Sequence, residues 1–309
     1  MDLSCPLTSR MRLRSPVIAA SGTFGYGTDL QQLTDRTALG AIVSKGVTLR
    51  SRQGTAPPRI VETPSGMLNA IGLQNPGVEA VIREYAPLWA TWEVPVLVNI
   101  NGSTVEEYAQ LASLLDGVPG VSGLEINISC PNLKAGGVEF GRDPRAAAQV
   151  TASVRAATHL PLVVKLAPNV SDIVAVATAV VDEGADAISA VNTFFGMSMD
   201  LATGRPRLAN VTGGLSGPAI RPAALYLAHK VACEVSVPVI GIGGISRADD
   251  ALEFLLAGCS AVQVGTATFT DPRSMALVHD GIRRYLVGRG LTSLEALPRY
   301  HGAAGPSIG

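Results

Sequence analysis

Residues 161–194 read PLVVKLAPNVSDIVAVATAVVDEGADAISAVNTF. The first strand candidate, Leu160–Leu166, is apolar on both faces apart from Lys165. The second, Ala187–Asn192, has the same character and then turns polar. Between them Ser171–Glu183 is an amphipathic, alanine-rich helix with Ser171 as its capping residue. Short apolar strands separated by a helix are the mark of parallel strands buried on both sides.

The same unit repeats in both directions. The remaining strand candidates are Pro16–Ala20, Ala41–Lys45, Val94–Ile100, Gly123–Ser129, Val237–Gly241 and Ala261–Gly265. Helical patterns cover Thr104–Leu115, Pro144–Thr158, Ala248–Leu256 and Pro272–Val287, with Ser103, Asp143, Ser246 and Asp271 as their caps. Eight strands alternating with helices over 309 residues predict a (β/α)8 TIM barrel, an α/β fold, as one domain spanning residues 1–309. A doubly wound sheet is the rival fold. It calls for a glycine-rich dinucleotide turn after the first strand, and AASGTFGYG fits that fingerprint poorly. Two connections exceed ordinary loop length. Val47–Asn75 contains RIVETPSG, read as a β-hairpin insertion, and Phe194–Gly217 is rich in Gly, Asn and Pro. Long loops of a barrel serve the mouth of its site.

Net charge is -1, without blocks of like charge, which argues against nucleic acid or an anionic membrane as partner. The longest apolar stretch, Ile173–Val181, is too short to span a bilayer, and the N-terminus has no signal-peptide core. The expectation is a cytoplasmic protein. Cys5, Cys130, Cys233 and Cys259 stand far apart with no CxxC pair, so neither a zinc site nor an iron–sulfur cluster held by this chain is expected.

Catalytic groups of such a barrel gather at the C-terminal ends of its strands. Those ends carry Ser21, Lys45-Gly46, Asn99 with Asn101, Asn127 running into Cys130, Lys165, Asn192-Thr193, Gly243-Gly244 and Gly265-Thr266. With only four lysines against 20 arginines, Lys45 and Lys165 at the ends of apolar runs point to a specific need for an ammonium, beside the plain reading of lysines snorkelling from strand ends. GIGGIS and VGTATF set glycines after the seventh and eighth strands, the usual phosphate site of this architecture. Asparagines and lysines facing inward suit a flat, carbonyl-rich ring. Phosphate and polar ring together describe flavin mononucleotide, FMN.

Cys130 admits four readings: a buried hydrophobe, a metal ligand, a nucleophile or a general base. The histidines show no ligand spacing, and none stands at a strand end to pair with a nucleophile. A thiolate opposite a flavin could remove a carbon-bound proton.

These residues resemble the class 1 dihydroorotate dehydrogenases over nearly the whole chain. The likeness is carried by SKGVTLRSRQGTAPPRIVETPSGMLNAIGLQNPG, NISCPNLKAGGVEFG, VNTF and GIGGI, and RIVETPSGMLNAIGLQNPG with CPNLKAGG is similar to the B-type subgroup. The resemblance implies one FMN on Ser21, Lys45, Gly46, Asn99, Asn127, Lys165, Val191, Gly217, Gly243, Gly244, Gly265 and Thr266. It implies a substrate site on Lys45, the stretch Asn69, Ala70, Ile71, Gly72 and Leu73, then Asn127, Asn132, Asn192 and Thr193. Cys130 would be the base, taking the C5 proton of dihydroorotate while the C6 hydride passes to flavin N5. Lys45 would meet the substrate carboxylate and Lys165 flavin N1 and O2. The KAGG segment is expected to act as a lid.

The B type also implies a partner subunit with FAD and a 2Fe–2S cluster that passes electrons to NAD+. A homodimer of this chain within a heterotetramer would follow. The alternatives are an A-type or stand-alone class 1 enzyme using fumarate or another acceptor, a Schiff-base aldolase acting through Lys165, and a flavin subunit that only relays electrons.

Overall fold

The computed structural model describes residues 1–29, 34–129 and 140–300. Eight parallel strands close into a barrel: β1 Val17–Ala19, β2 Ala41–Val43, β3 Val96–Ile100, β4 Gly123–Asn127, β5 Leu162–Leu166, β6 Ala187–Ala190, β7 Val239–Ile242 and β8 Ala261–Val264. Each pairs with the next in the chain, and β8 pairs with β1. All eight arise from the runs expected of them. Several end before the apolar pattern implies, although Ser44 N and Asn192 N still donate to Leu97 O and Leu166 O at 2.9 Å where the barrel opens.

The helices are α1 Val78–Glu84, α2 Ala86–Trp89, α3 Val105–Leu115, α4 Pro144–Ala157, α5 Ile173–Asp182, α6 Arg221–Glu234, α7 Ala248–Leu256, α8 Ala267–Thr270 and α9 Ser274–Gly288. One helix per strand does not hold throughout. Between β1 and β2 the described residues hold a 3-10 turn, Arg36–Ala38, instead of an α-helix. Helix α5 buries Ile173, Val176, Ala177 and Val180, the stripe that a 3.6-residue period sets toward the strands. Burying each such valine or isoleucine stabilises the fold by about 1.5–3 kcal/mol.

Four of the five expected caps shift by a residue or more, and only Asp143 caps its helix as read, accepting from Arg145 N. Thr104 caps α3 in place of Ser103, whose N–H donates to Glu107 Oε2 at 2.6 Å. Asp172 caps α5 in place of Ser171 and accepts from Val174 N and Ala175 N. Arg247 stands at the cap of α7 and Arg273 at that of α9, one and two residues past Ser246 and Asp271.

The insertion around RIVETPSG is the expected hairpin, Ile60–Thr63 with Gly66–Asn69. Phe194–Gly217 is more ordered than its composition implies. Its strands Phe194–Met197 and Thr212–Ser216 pair with each other, and the second pairs with the hairpin, giving one four-stranded antiparallel sheet. A small apolar cluster, Val61, Leu68 and Leu208, holds the two insertions together. No helix among the described residues is long and apolar enough to cross a membrane.

Candidate active site

A cavity of about 930 Å³ opens at the C-terminal ends of the strands, with the four-stranded sheet as one wall. That volume lies at the upper end of the range of roughly 300–1,000 Å³ usual for small-molecule sites.

The floor is set by strand register. Asn99 on β3 lies opposite Glu125 on β4, Asn127 on β4 opposite Lys165 on β5, and Lys165 opposite Ser189 on β6. Asn99 Nδ2 donates to Glu125 Oε1 at 2.7 Å, and Asn101 Nδ2 donates to Asn99 Oδ1 at 2.8 Å. Both asparagines are therefore held in one orientation. Asn127 Oδ1 accepts from Ser129 N at 3.1 Å and from Asn192 Nδ2 at 3.3 Å, so its amide donors are what it offers the cavity. Lys165 Nζ donates to Ser21 Oγ at 3.2 Å and lies 3.5 Å from Glu125 Oε1.

Gly46 lines the same wall because nothing larger fits: a Cβ there would stand 2.6 Å from Asn101 Nδ2. Lys45 beside it is half-buried. Burial pushes its ammonium below the usual lysine range and the neighbouring Arg59 charge adds to this, with Asp29 opposing.

At the far end, Gly243 and Gly244 follow β7, and Gly265 and Thr266 follow β8. Gly244 has φ +73°, a left-handed conformation in which a Cβ would also meet Arg221 at 2.6 Å. Thr266 Oγ1 donates to Ser216 Oγ at 2.7 Å, and Gly217 completes this corner. The two amides just before α7 are taken by its own Asp250. Asp250 Oδ2 accepts from Ser246 N, Ser246 Oγ and Arg247 N, each at 2.9 Å. The two glycine turns and Thr266 line this end of the cavity together.

Val191 continues β6 into the cavity, followed by Asn192 and Thr193, whose N–H donates to Asn192 Oδ1 at 2.8 Å. The stretch Asn69, Ala70, Ile71, Gly72 and Leu73 runs along the sheet wall. Ala70 N donates to Arg59 O at 2.8 Å, and Thr55 N donates to Ile71 O at 3.1 Å. All expected cofactor and substrate residues within the described part of the chain line this one cavity. Cys130, Asn132 and the KAGG segment lie outside the described residues.

Several lining residues escaped a reading confined to strand ends. Arg52, Arg59 and Arg142 add positive charge, and no Asp or Glu lines the cavity among the described residues. Gln263 on β8 lines it too, two residues before Gly265, and its Oε1 is buried without a hydrogen-bond partner. Glu125 lies beneath, fully buried. Its signal was the alternation of LEIN: Leu124 and Ile126 face one way, so Glu125 and Asn127 face the other.

The other cysteines offer no such site. Burial pushes the thiols of Cys5 and Cys259 up to about 12. Cys233 is exposed on α6, 3.7 Å from the His229 ring nitrogens.

A closed parallel barrel with two glycine turns at one end of its cavity and a cationic, amide-lined mouth at the C-terminal ends of its strands has the architecture of a (β/α)8 enzyme site. Residues 7–286 match the family model described as dihydroorotate dehydrogenase. The chain is 54% identical over 296 residues to the dihydroorotate dehydrogenase B (NAD(+)) catalytic subunit of Geotalea daltonii, covering 96% of this chain and 97% of the relative. The catalytic subunit of the same name from Pelobacter propionicus is 55% identical over 287 residues, 93% of this chain and 94% of the relative. The chain belongs to the dihydroorotate dehydrogenase family. It is accordingly an oxidoreductase, which sets aside the Schiff-base aldolase reading of Lys165.

Proposed function

We propose that this chain is the FMN-binding catalytic subunit of a B-type dihydroorotate dehydrogenase, one domain over residues 1–309, oxidising (S)-dihydroorotate to orotate in pyrimidine biosynthesis. The observation that carries this reading is the near full-length likeness to B-type catalytic subunits. The chemistry of the cavity fits the cofactor. Glycine turns and a hydroxyl suit a phosphate, while the orphaned Gln263 Oε1 calls for a donor such as a ring N–H.

In this reading Ser21, Lys45, Gly46, Asn99, Asn127, Lys165 and Val191 hold the ring side of FMN. Gly217, Gly243, Gly244, Gly265 and Thr266 hold its phosphate side. When bound, FMN supplies the hydride acceptor. Lys45 pairs with the substrate carboxylate, and the amides of Asn69, Asn127, Asn132 and Asn192, with the backbone of Ala70–Leu73 and Thr193, orient the ring. Cys130 removes the C5 proton. The lack of any CxxC pair in the chain supports an electron path through a partner subunit with FAD and a 2Fe–2S cluster, ending at NAD+, with this chain as a homodimer inside a heterotetramer.

The test is purification of the chain alone and with the products of its neighbouring genes, followed by dihydroorotate oxidation assays with NAD+, fumarate and quinone. NAD+ reduction only with the partner is the expected result. Efficient fumarate reduction by the chain alone would assign it to the A type.

A further inference from the structure

Among the described residues Glu125 is the carboxylate buried beneath the cavity floor, and four strands converge on it. Its Oε1 accepts from Asn99 Nδ2 at 2.7 Å and lies 3.5 Å from Lys165 Nζ. Its Oε2 accepts from Ser189 Oγ at 3.0 Å and from Gln263 Nε2 at 2.8 Å. These donors come from β3, β5, β6 and β8, and three of them, Asn99, Lys165 and Gln263, also line the cavity. Glu125 does not line it. The Gln263 amide is fixed by this bond, which leaves its Oε1 as the unpartnered acceptor.

Buried ion pairs add little net stability, since desolvation offsets their attraction. Apolar residues in place of the whole polar cluster would fill the space between the strands at little loss. What an apolar residue would not do is hold an ammonium and two amides at set positions and balance the lysine charge.

We propose that Glu125 is a positioning residue for the cofactor: it fixes Lys165, Asn99 and Gln263 on the cavity floor and sets how much of the lysine's charge a bound flavin ring feels. This rests on the reading that the cavity takes FMN. A reduced flavin is anionic, and the Lys165 ammonium stabilises it. Glu125 offsets that charge and so lowers the reduction potential.

The test is the midpoint potential of the bound flavin in the purified protein. Glu125→Gln keeps the shape: the Ser189 hydroxyl can turn and the Gln263 amide can flip, so that both accept from the new amide. E125Q is expected to raise the reduced-to-oxidised ratio at fixed potential about tenfold, or about 30 mV for a two-electron couple. Lys165→Gln is expected to move the potential the other way. Should E125Q fail to fold, the double variant E125Q/K165Q carries no unpaired buried charge, and its potential must lie above that of K165Q. Equal potentials in E125Q and the wild type, or in the double variant and K165Q, overturn the proposal. A wild-type protein that holds no flavin overturns the cofactor reading itself, and this inference with it.

Discussion

Lys45 carries a charge that its surroundings disfavour, because burial and Arg59 both push its ammonium toward deprotonation. A substrate carboxylate would reverse that preference. The charged form exists below the lowered pKa and is lost as pH rises through it. The KM for dihydroorotate is therefore expected to climb on the alkaline side, beginning below the ordinary lysine value of 10.5. Lys45→Met is expected to raise KM by about 10–100-fold, the worth of a hydrogen bond to a charged group at about 1.5–3 kcal/mol. A flat KM in both experiments would remove Lys45 from the substrate site. The lysines were legible in the sequence because lysine is scarce and both stood at strand ends. Glu125 and Gln263 went unread because each sits inside a strand: the alternation of LEIN sets Glu125 on the face of Asn127, and the closed barrel shows that this face is the axis.

At the scale of elements, the strands could be read because each is a compact apolar run. The caps were less legible, since Ser103 and Thr104, or Ser171 and Asp172, are neighbouring candidates that only backbone geometry separates. Half of the four-stranded sheet, the RIVETPSG hairpin, was legible, and its pairing with the strands of 194–216 was not. Its register joins Gly214 to Asn69 and Leu215 to Leu68, positions far apart in sequence with no local signature of pairing. Leu68→Ala, in the cluster with Val61 and Leu208, is expected to cost about 2–5 kcal/mol. Hydrogen exchange should show protection lost over residues 60–69 and 212–216 while the barrel strands keep theirs, with a raised KM.

Helix α7 gives an acid-side prediction. Burial alone would raise the Asp250 pKa, but hydrogen bonds from Ser246 and Arg247 and the Arg221 charge hold it below its ordinary value. Its contribution is present above the ordinary value of 3.8 and is lost as pH falls through the depressed one. Asp250→Asn should therefore lower the unfolding free energy near neutrality by about 1–3 kcal/mol and shrink the loss on acidification. An unchanged pH dependence of denaturant unfolding would contradict this.

For the whole molecule, the barrel explains why residues from β1 to β8 meet in one cavity: closure brings the C-terminal end of every strand to the same mouth. The sequence carried that arrangement because strand ends could be counted without knowing their positions in space. The proposed assembly adds a mass prediction. Light scattering after size exclusion should give a dimer for the chain alone and a heterotetramer with its partner. A monomer that oxidises dihydroorotate at the full rate would refute the assembly.

The central claim is that this cavity oxidises dihydroorotate with Cys130 as base. Anaerobic single-turnover reduction of the bound flavin by dihydroorotate, in the wild type and in Cys130→Ala, tests it most directly. The wild type should bleach with one orotate formed per flavin. The variant should still hold flavin but bleach about 10²–10⁴-fold more slowly, the usual worth of a general base. A wild-type flavin that stays oxidised, or a variant that bleaches at the wild-type rate, would contradict the account.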